Sequence, residues 1–187
     1  MSEQTVQRLE EWLRSCIDRD GEHIHCPYFN EAQARLPTRI IDVGTEDNGK
    51  VKLLVSSEHQ VGKYIALSHC WGGKTPVMTT TKNLQDHLQE ISSLPQTFLE
   101  AALLTRVLGV RYLWIDSLCI LQDSREDWER EAPLMASVYG NAYVTIAADV
   151  AKNTNAGFLT GSTRQLHMPK VVQFVHGGQT GRVLVRR

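Results

Sequence analysis

The feature that most constrains this chain is a pair of short β-rich apolar runs, YIALSHC at 64–70 and RYLWIDSLCI at 111–120, separated by two segments of helical periodicity. An apolar run without alternation is the pattern of a strand covered on both faces. Between the runs, Leu84, Leu88 and Ile91 recur at helical spacing. The stretch SLPQTFLEAALLTRVLG then makes a second helix, with Pro95 suited to its first turn and Gly109 to its C-terminal stop. Strand, long helical crossover and strand predict parallel pairing with a right-handed connection. The expected class is therefore α/β, an open and mostly parallel sheet flanked by helices.

The remaining elements fit around that core. Val6, Leu9, Leu13 and Ile17 form one face of an N-terminal amphipathic helix ending near Gly21, with Glu10, Glu11 and Arg14 on the other side. TRIIDVG and KVKLLVS flank the turn sequence TEDNG and predict a β-hairpin. RYLWIDSLCI is β-rich through Ile120. In SREDWEREAPLMASVYG, Ser124 and Asp127 have capping-box spacing and Pro133 should kink the helix. NAYVTIAADVA is a third β run leading into loop residues Asn153, Asn155 and Gly157, and VVQFV and RVLVRR flank HGGQTG as a terminal hairpin.

Composition narrows the functional classes. Twenty basic and 21 acidic side chains leave a net charge of -1, so no global field attracts a phosphate backbone, and nucleic acid is not an expected partner. No apolar stretch has the length of a membrane span, and the N-terminus lacks the apolar core of a secretory signal. Four widely spaced cysteines without a C-x-x-C pair fit a reducing compartment, so a soluble, cytoplasmic protein is expected. Cys16, His23, His25 and Cys26 offer metal-binding atoms but not the spacing of a zinc module, and no metal is expected.

In open α/β sheets, ligand sites form outside the carboxyl ends of the strands. Ser68, His69 and Cys70 end the first core strand, and Asp116 and Ser117 follow the second, so neighbouring strands would bring them to one crevice. Gly72 and Gly73 allow a sharp exit and close approach of a ligand to the backbone. The plainer alternative is that the glycines only turn the chain, Trp71 plugs the core and His69 is a buried histidine. Asp116 is costly to bury unpaired and should hold a backbone donor, a hydroxyl or a basic partner such as Ser68, His69 or Arg106. It serves equally as a structural hydrogen bonder or as a ligand contact. A Cys–His nucleophile from Cys70 or Cys119 with His69 is the weaker idea, since adjacent strand residues face opposite ways and Cys119 lies in an apolar run. Glu131, one turn before Met135, would sit at the pocket rim.

The blocks YIALSHCWGG, TT..NL at 80–84, LPQTFLEAALLTRVLGVRYLWIDSLCILQD, DWEREAPLMASVYGNAYVTIAA and GFL at 157–159 together resemble the heterokaryon-incompatibility (HET) domain of fungal proteins. The resemblance implies a domain that triggers programmed cell death in fungal non-self recognition, within a larger protein. It divides the chain into an N-terminal helix and hairpin extension of the same domain (1–60), a HET core (61–163) and the C-terminal hairpin (164–187) of a truncated domain. The family has been likened to Toll/interleukin-1 receptor (TIR) domains, which implies a Rossmann/TIR-like sheet, self-association and, by analogy, NAD cleavage. NAD would then be a substrate, and no cofactor is implied. Glu131, after Trp128, matches the TIR-type catalytic glutamate with a spacing one residue shorter. Ser68, His69, Trp71, Gly72, Asp116 and Ser117 would form the ligand-binding wall. Partners implied are further copies of the chain and other incompatibility or signalling proteins. The alternative is a non-enzymatic self-associating module.

Overall fold

The computed structural model describes residues 2–25, 29–45, 49–73, 77–159, 170–176 and 179–185. Ser2 caps α1 (Glu3–Asp18) by accepting from the Thr5 amide, and Arg19 in the left-handed conformation ends it. The predicted hairpin is β1 (Arg39–Asp42) and β2 (Lys52–Val55), antiparallel with Ile40 opposite Leu54. The central part of its TEDNG turn lies outside the described residues.

β3 (Tyr64–His69) and β4 (Tyr112–Ile115) pair in parallel with Leu67 opposite Ile115. On the other side of β3, β5 (Val144–Ala148) pairs in parallel, with His69 opposite Ala148. The sheet order is β2-β1-β4-β3-β5. Along the chain, the parallel strands therefore have the order 2-1-3, and the direction of connection reverses between β3 and β5. The sheet is mixed rather than mostly parallel, because β1 pairs antiparallel with β4 as well as with β2. The hairpin supplies an edge that a strand-helix-strand reading does not anticipate.

Helices cover both faces. α2 (Leu84–Gln89) and α3 (Gln96–Val107) form the crossover between β3 and β4. Side chains alternate along a strand, and β3 shows what each face meets. His69 meets Phe98 of α3 edge to face at 4.9 Å between ring centroids. On the opposite face, Tyr64 Oη donates to the Val138 carbonyl at 2.6 Å. Trp114 of β4 meets Tyr139 at 5.4 Å. Tyr64, Ile65, Ala66 and Leu67 are fully buried. Each large side chain among them stabilises the fold by about 1.5–3 kcal/mol through burial.

The β-rich run stops earlier than its composition suggests. Asp116 Oδ1 accepts from the Ser117 amide at 2.6 Å, and the Ile120 amide donates to the Asp116 carbonyl at 3.0 Å. The chain therefore turns from β4 straight into α4 (Asp116–Cys119). Next comes α5 (Arg125–Glu131), where Ser124 Oγ accepts from the Asp127 amide at 3.2 Å as the capping spacing predicts. Pro133 falls in a 3-10 turn, Ala132–Leu134, that separates α5 from α6 (Met135–Asn141). The terminal hairpin, β6 (Lys170–His176) and β7 (Gln179–Val185), forms its own antiparallel sheet.

Candidate functional site

The carboxyl ends of β3 and β4 bring His69, Trp71, Asp116 and Ser117 together. The Asp116 carboxylate organises them. Its Oδ2 accepts from Trp71 Nε1 at 2.9 Å, its Oδ1 accepts from the Ser117 amide, and His69 Nδ1 lies 3.8 Å from Oδ1. Trp71 runs nearly parallel to the His69 ring, at 6.5 Å and 11°. With Phe98 on the other side, the imidazole is enclosed and its side chain is 1% exposed, whereas that of Asp116 is 22% exposed. Burial pushes the His69 pKa below its ordinary value, outweighing the opposite pull of Asp116. A neutral imidazole beside a partly open carboxylate results.

Two polar atoms of this cluster, His69 Nε2 and Ser117 Oγ, are buried without a hydrogen-bond partner among the described residues. Such groups each carry a desolvation cost of about 1–3 kcal/mol and call for an explanation. Here they lie at the end of the sheet where open α/β folds take ligands. The partner considered for Asp116 in Arg106 is not used. Arg106 Nε donates instead to the Val43 carbonyl at 2.8 Å, tying α3 to the end of the hairpin.

Gly72 closes the rim. Its φ is +74°, and a Cβ placed there would lie 2.4 Å from Asn153 Cβ. The exit loop of β3 thus packs against the loop after β5, and Gly72 meets both the conformational and the steric demand. Ser68 lies beside the cluster but is exposed, as is the thiol of Cys70. Cys119 is buried, and burial pushes its thiol up to about 12, which removes it as a nucleophile.

Glu131 occupies a different set of contacts. Its side chain, 7% exposed, accepts from Arg130 Nε at 3.1 Å. Neighbouring Asp127 is paired with both Arg39 and Arg130 and accepts from the Leu121 amide at 2.8 Å, while Arg39 Nε holds the Cys119 carbonyl at 2.7 Å. No hydrogen bond or ion pair among the described residues joins Glu131 to the His69 cluster.

Several residues of the rim are not evident from sequence. Glu100, buried on α3, accepts from the amides of Phe158 and Leu159, the latter at 2.6 Å, and from Gln96 Nε2 at 2.9 Å. Thr97 Oγ1 accepts from the Gly157 amide at 3.2 Å, and the Thr97 amide donates to the Thr154 carbonyl at 2.9 Å. The one available signal is a carboxylate inside the apolar stretch FLEAALL of that helix, since a buried carboxylate needs donors. Among the described residues no group of three or more His, Cys, Asp or Glu side chains is placed to hold a metal, and no helix is long and apolar enough to cross a membrane.

Fold and cluster define an open α/β domain with a polar cluster at the carboxyl ends of its parallel strands β3 and β4. The chain matches the family described as heterokaryon incompatibility protein (HET) over residues 64–180, more than half of its length. It belongs to that family, and the function this membership carries is of the heterokaryon-incompatibility type. No curated protein and no solved structure matches the chain.

Proposed function

We propose that this chain triggers programmed cell death in fungal non-self recognition by binding NAD in the strand-end crevice and cleaving its nicotinamide–ribose bond. The observation that carries the reading is the convergence of His69, Trp71, Asp116 and Ser117 at the carboxyl ends of β3 and β4, with two buried polar atoms that have no hydrogen-bond partner among the described residues. Open α/β sheets take ligands outside the carboxyl ends of their strands, and the β3 exit loop that carries Trp71 also borders the switch point between β3 and β5.

In this reading the half-buried Trp71 is the surface for stacking a base, and Asp116, the open carboxylate, accepts from ribose hydroxyls. Breaking the C1′–N bond sends the electron pair to nicotinamide, which leaves neutral, and places positive charge on the ribosyl C1′. Glu131 stabilises that charge, water then adds to C1′, and one proton is released to solvent or a base. Glu131 must first shed Arg130. Arg130 is 52% exposed and free to swing into water, but Glu131 is 7% exposed, so the released carboxylate is left buried and its charge must be met by the ribosyl cation.

The test incubates concentrated protein with NAD and follows nicotinamide by chromatography. Release by the wild type, with a loss of about 100-fold or more in Glu131→Gln and a strong loss in Asp116→Asn, is expected. Equal release from Glu131→Gln, or none from wild type under conditions where it assembles, overturns the enzymatic part. A second reading, a non-enzymatic self-associating module, draws on exposed apolar side chains: Trp128, 57% exposed, Leu134 beyond α5, and Leu99 with Leu103 one turn apart on α3. In that case Trp128→Glu or Leu103→Glu abolishes assembly and toxicity, while Glu131→Gln leaves both intact.

A further inference from the structure

At the other end of the sheet a cavity of about 500 Å³ opens between α1, the segment after residue 29 and the start of β5. Trp12, Phe29, Tyr139 and Tyr143 supply aromatic walls, Asn30 and Gln33 supply polar atoms, and Cys16 lines it. Val144, the first residue of β5, lies here, whereas His69 pairs with Ala148, the last. The cavity thus lies toward the opposite end of the sheet from the His69 cluster, with Tyr139 reaching from its wall to the Leu67 carbonyl.

Cys16 has a partner built for it. Its Sγ lies 3.2 Å from His23 Nδ1. Had the helix continued, a residue seven positions on would lie about 10 Å along the axis. Instead Arg19 turns left-handed at φ 55°, the Asp20 amide donates back to the Ser15 carbonyl at 3.0 Å, and Arg19 Nε holds the Ile24 carbonyl at 3.0 Å. The 3-10 turn Gly21–His25 is thereby folded back on α1. Trp12 meets the His23 ring edge to face at 6.4 Å and fixes its plane. A thiol held against an imidazole is the arrangement that generates a thiolate near neutral pH.

We propose that Cys16 and His23 form a reactive pair opening on this cavity, and that it captures small conjugated electrophiles, α,β-unsaturated carbonyl compounds with an apolar or aromatic body. The Cys16 proton passes to His23 Nδ1, and the thiolate attacks the β-carbon. As the S–C bond forms, the C=C π pair moves to the α-carbon as an enolate, and the imidazolium returns the proton to it. The net change is addition of S–H across the double bond, with no oxidant or reductant needed. The aromatic walls favour an apolar body, and the Asn30 and Gln33 amides are donors for the carbonyl oxygen.

The experiment uses the whole chain, kept reduced, with N-phenylmaleimide and iodoacetamide as probes between pH 5.5 and 8.5. Peptide mapping follows each of the four cysteines. Exposed Cys70 serves as the reference thiol, and buried Cys119 stays unlabelled while the protein is folded. The expected result is labelling of Cys16 about tenfold faster than Cys70 at pH 6, with a shallower dependence on pH. His23→Gln brings Cys16 down to the Cys70 rate or below and leaves Cys70 unchanged. Trp12→Ala lowers the rate with N-phenylmaleimide more than with iodoacetamide. Cys16 labelling no faster than Cys70, a common pH slope for the two, or indifference to His23→Gln overturns the proposal. Labelling of Cys119 identifies an unfolded variant, for which the pH comparison within the wild type decides.

Discussion

Replacing Gly72 by alanine tests how the crevice is closed, and Gly73 provides an internal control one residue away. At Gly72 the backbone has φ +74°, where an L side chain costs about 1–2 kcal/mol. The new Cβ would also stand 2.4 Å from Asn153 Cβ and 3.2 Å from Asn153 Cα. Carbon atoms prefer about 3.5–4.0 Å, so the two loops must part by more than about 1 Å. Overpacking of that kind costs about 1–3 kcal/mol. The sum is about 2–5 kcal/mol, and for a chain of this size each kcal/mol lowers Tm by about 2–4 °C. Gly72→Ala should therefore melt about 10 °C below wild type in thermal unfolding followed by far-UV circular dichroism. Its near-UV spectrum should also change, because Trp71 is the preceding residue and bonds Asp116. At Gly73 a Cβ meets nothing within 4 Å, so Gly73→Ala should leave Tm within about 2 °C of wild type. Equal melting temperatures for the two variants would refute the claim that the β3 exit loop is locked against the loop after β5.

Asp127→Ala strips buried Arg39 of its carboxylate and the Leu121 amide of its acceptor, and should cost about 3–5 kcal/mol in urea unfolding. The companion variant Arg39→Met with Asp127→Leu should recover part of that loss. Because burial lowers the folded-state pKa of His69, the unfolded chain binds the extra proton first as pH falls. Its contribution is complete above the unfolded value of about 6.5 and declines below it. In His69→Gln the slope of stability against pH just below about 6.5 should flatten by up to about 1.4 kcal/mol per pH unit. An unchanged slope would show that His69 is not held neutral by its enclosure. His87, also pushed down by burial, keeps the residual slope in that variant.

The parallel core was legible because its evidence is local. Unbroken apolar strands and a long helical crossover admit few arrangements, and β3, β4 and α3 follow from them. The juxtaposition of His69 with Asp116 was legible for the same reason, since parallel neighbours deliver their carboxyl ends to one side. What escaped was set by long-range pairing. Nothing in TRIIDVG announces that β1 will lie antiparallel against β4, because an edge hairpin can dock on either side with the same apolar pattern. The carboxyl end of β4 was legible at Asp116, but the helix that follows it was not. Asp116 bonds the next amide and starts a helical turn, so a β-rich run becomes two elements through one side-chain contact. The backbone donor and His69 expected beside Asp116 are there, but its indole partner Trp71 was not evident. Trp71 Nε1 is a donor whose direction only the loop geometry reveals.

The rim of the crevice is a single coupled unit drawn from segments far apart in the chain. α3 holds the Phe158 and Leu159 amides through Glu100, the Gly157 amide through Thr97 Oγ1, and the Thr154 carbonyl through the Thr97 amide. That same loop, at Asn153, abuts Gly72, and Gly72 follows the tryptophan that bonds Asp116. Phe98, between Thr97 and Glu100 on α3, closes the far side of the His69 ring. The blocks YIALSHCWGG, LPQTFLEAALL and GFL, separate in sequence, therefore meet around one imidazole and one carboxylate. Gly157 has φ +71° and stands where a Cβ would lie 2.8 Å from Glu100 Oε1, so it is held to the same tolerance as Gly72. Strain introduced at either glycine has a short covalent and hydrogen-bonded route to Asp116.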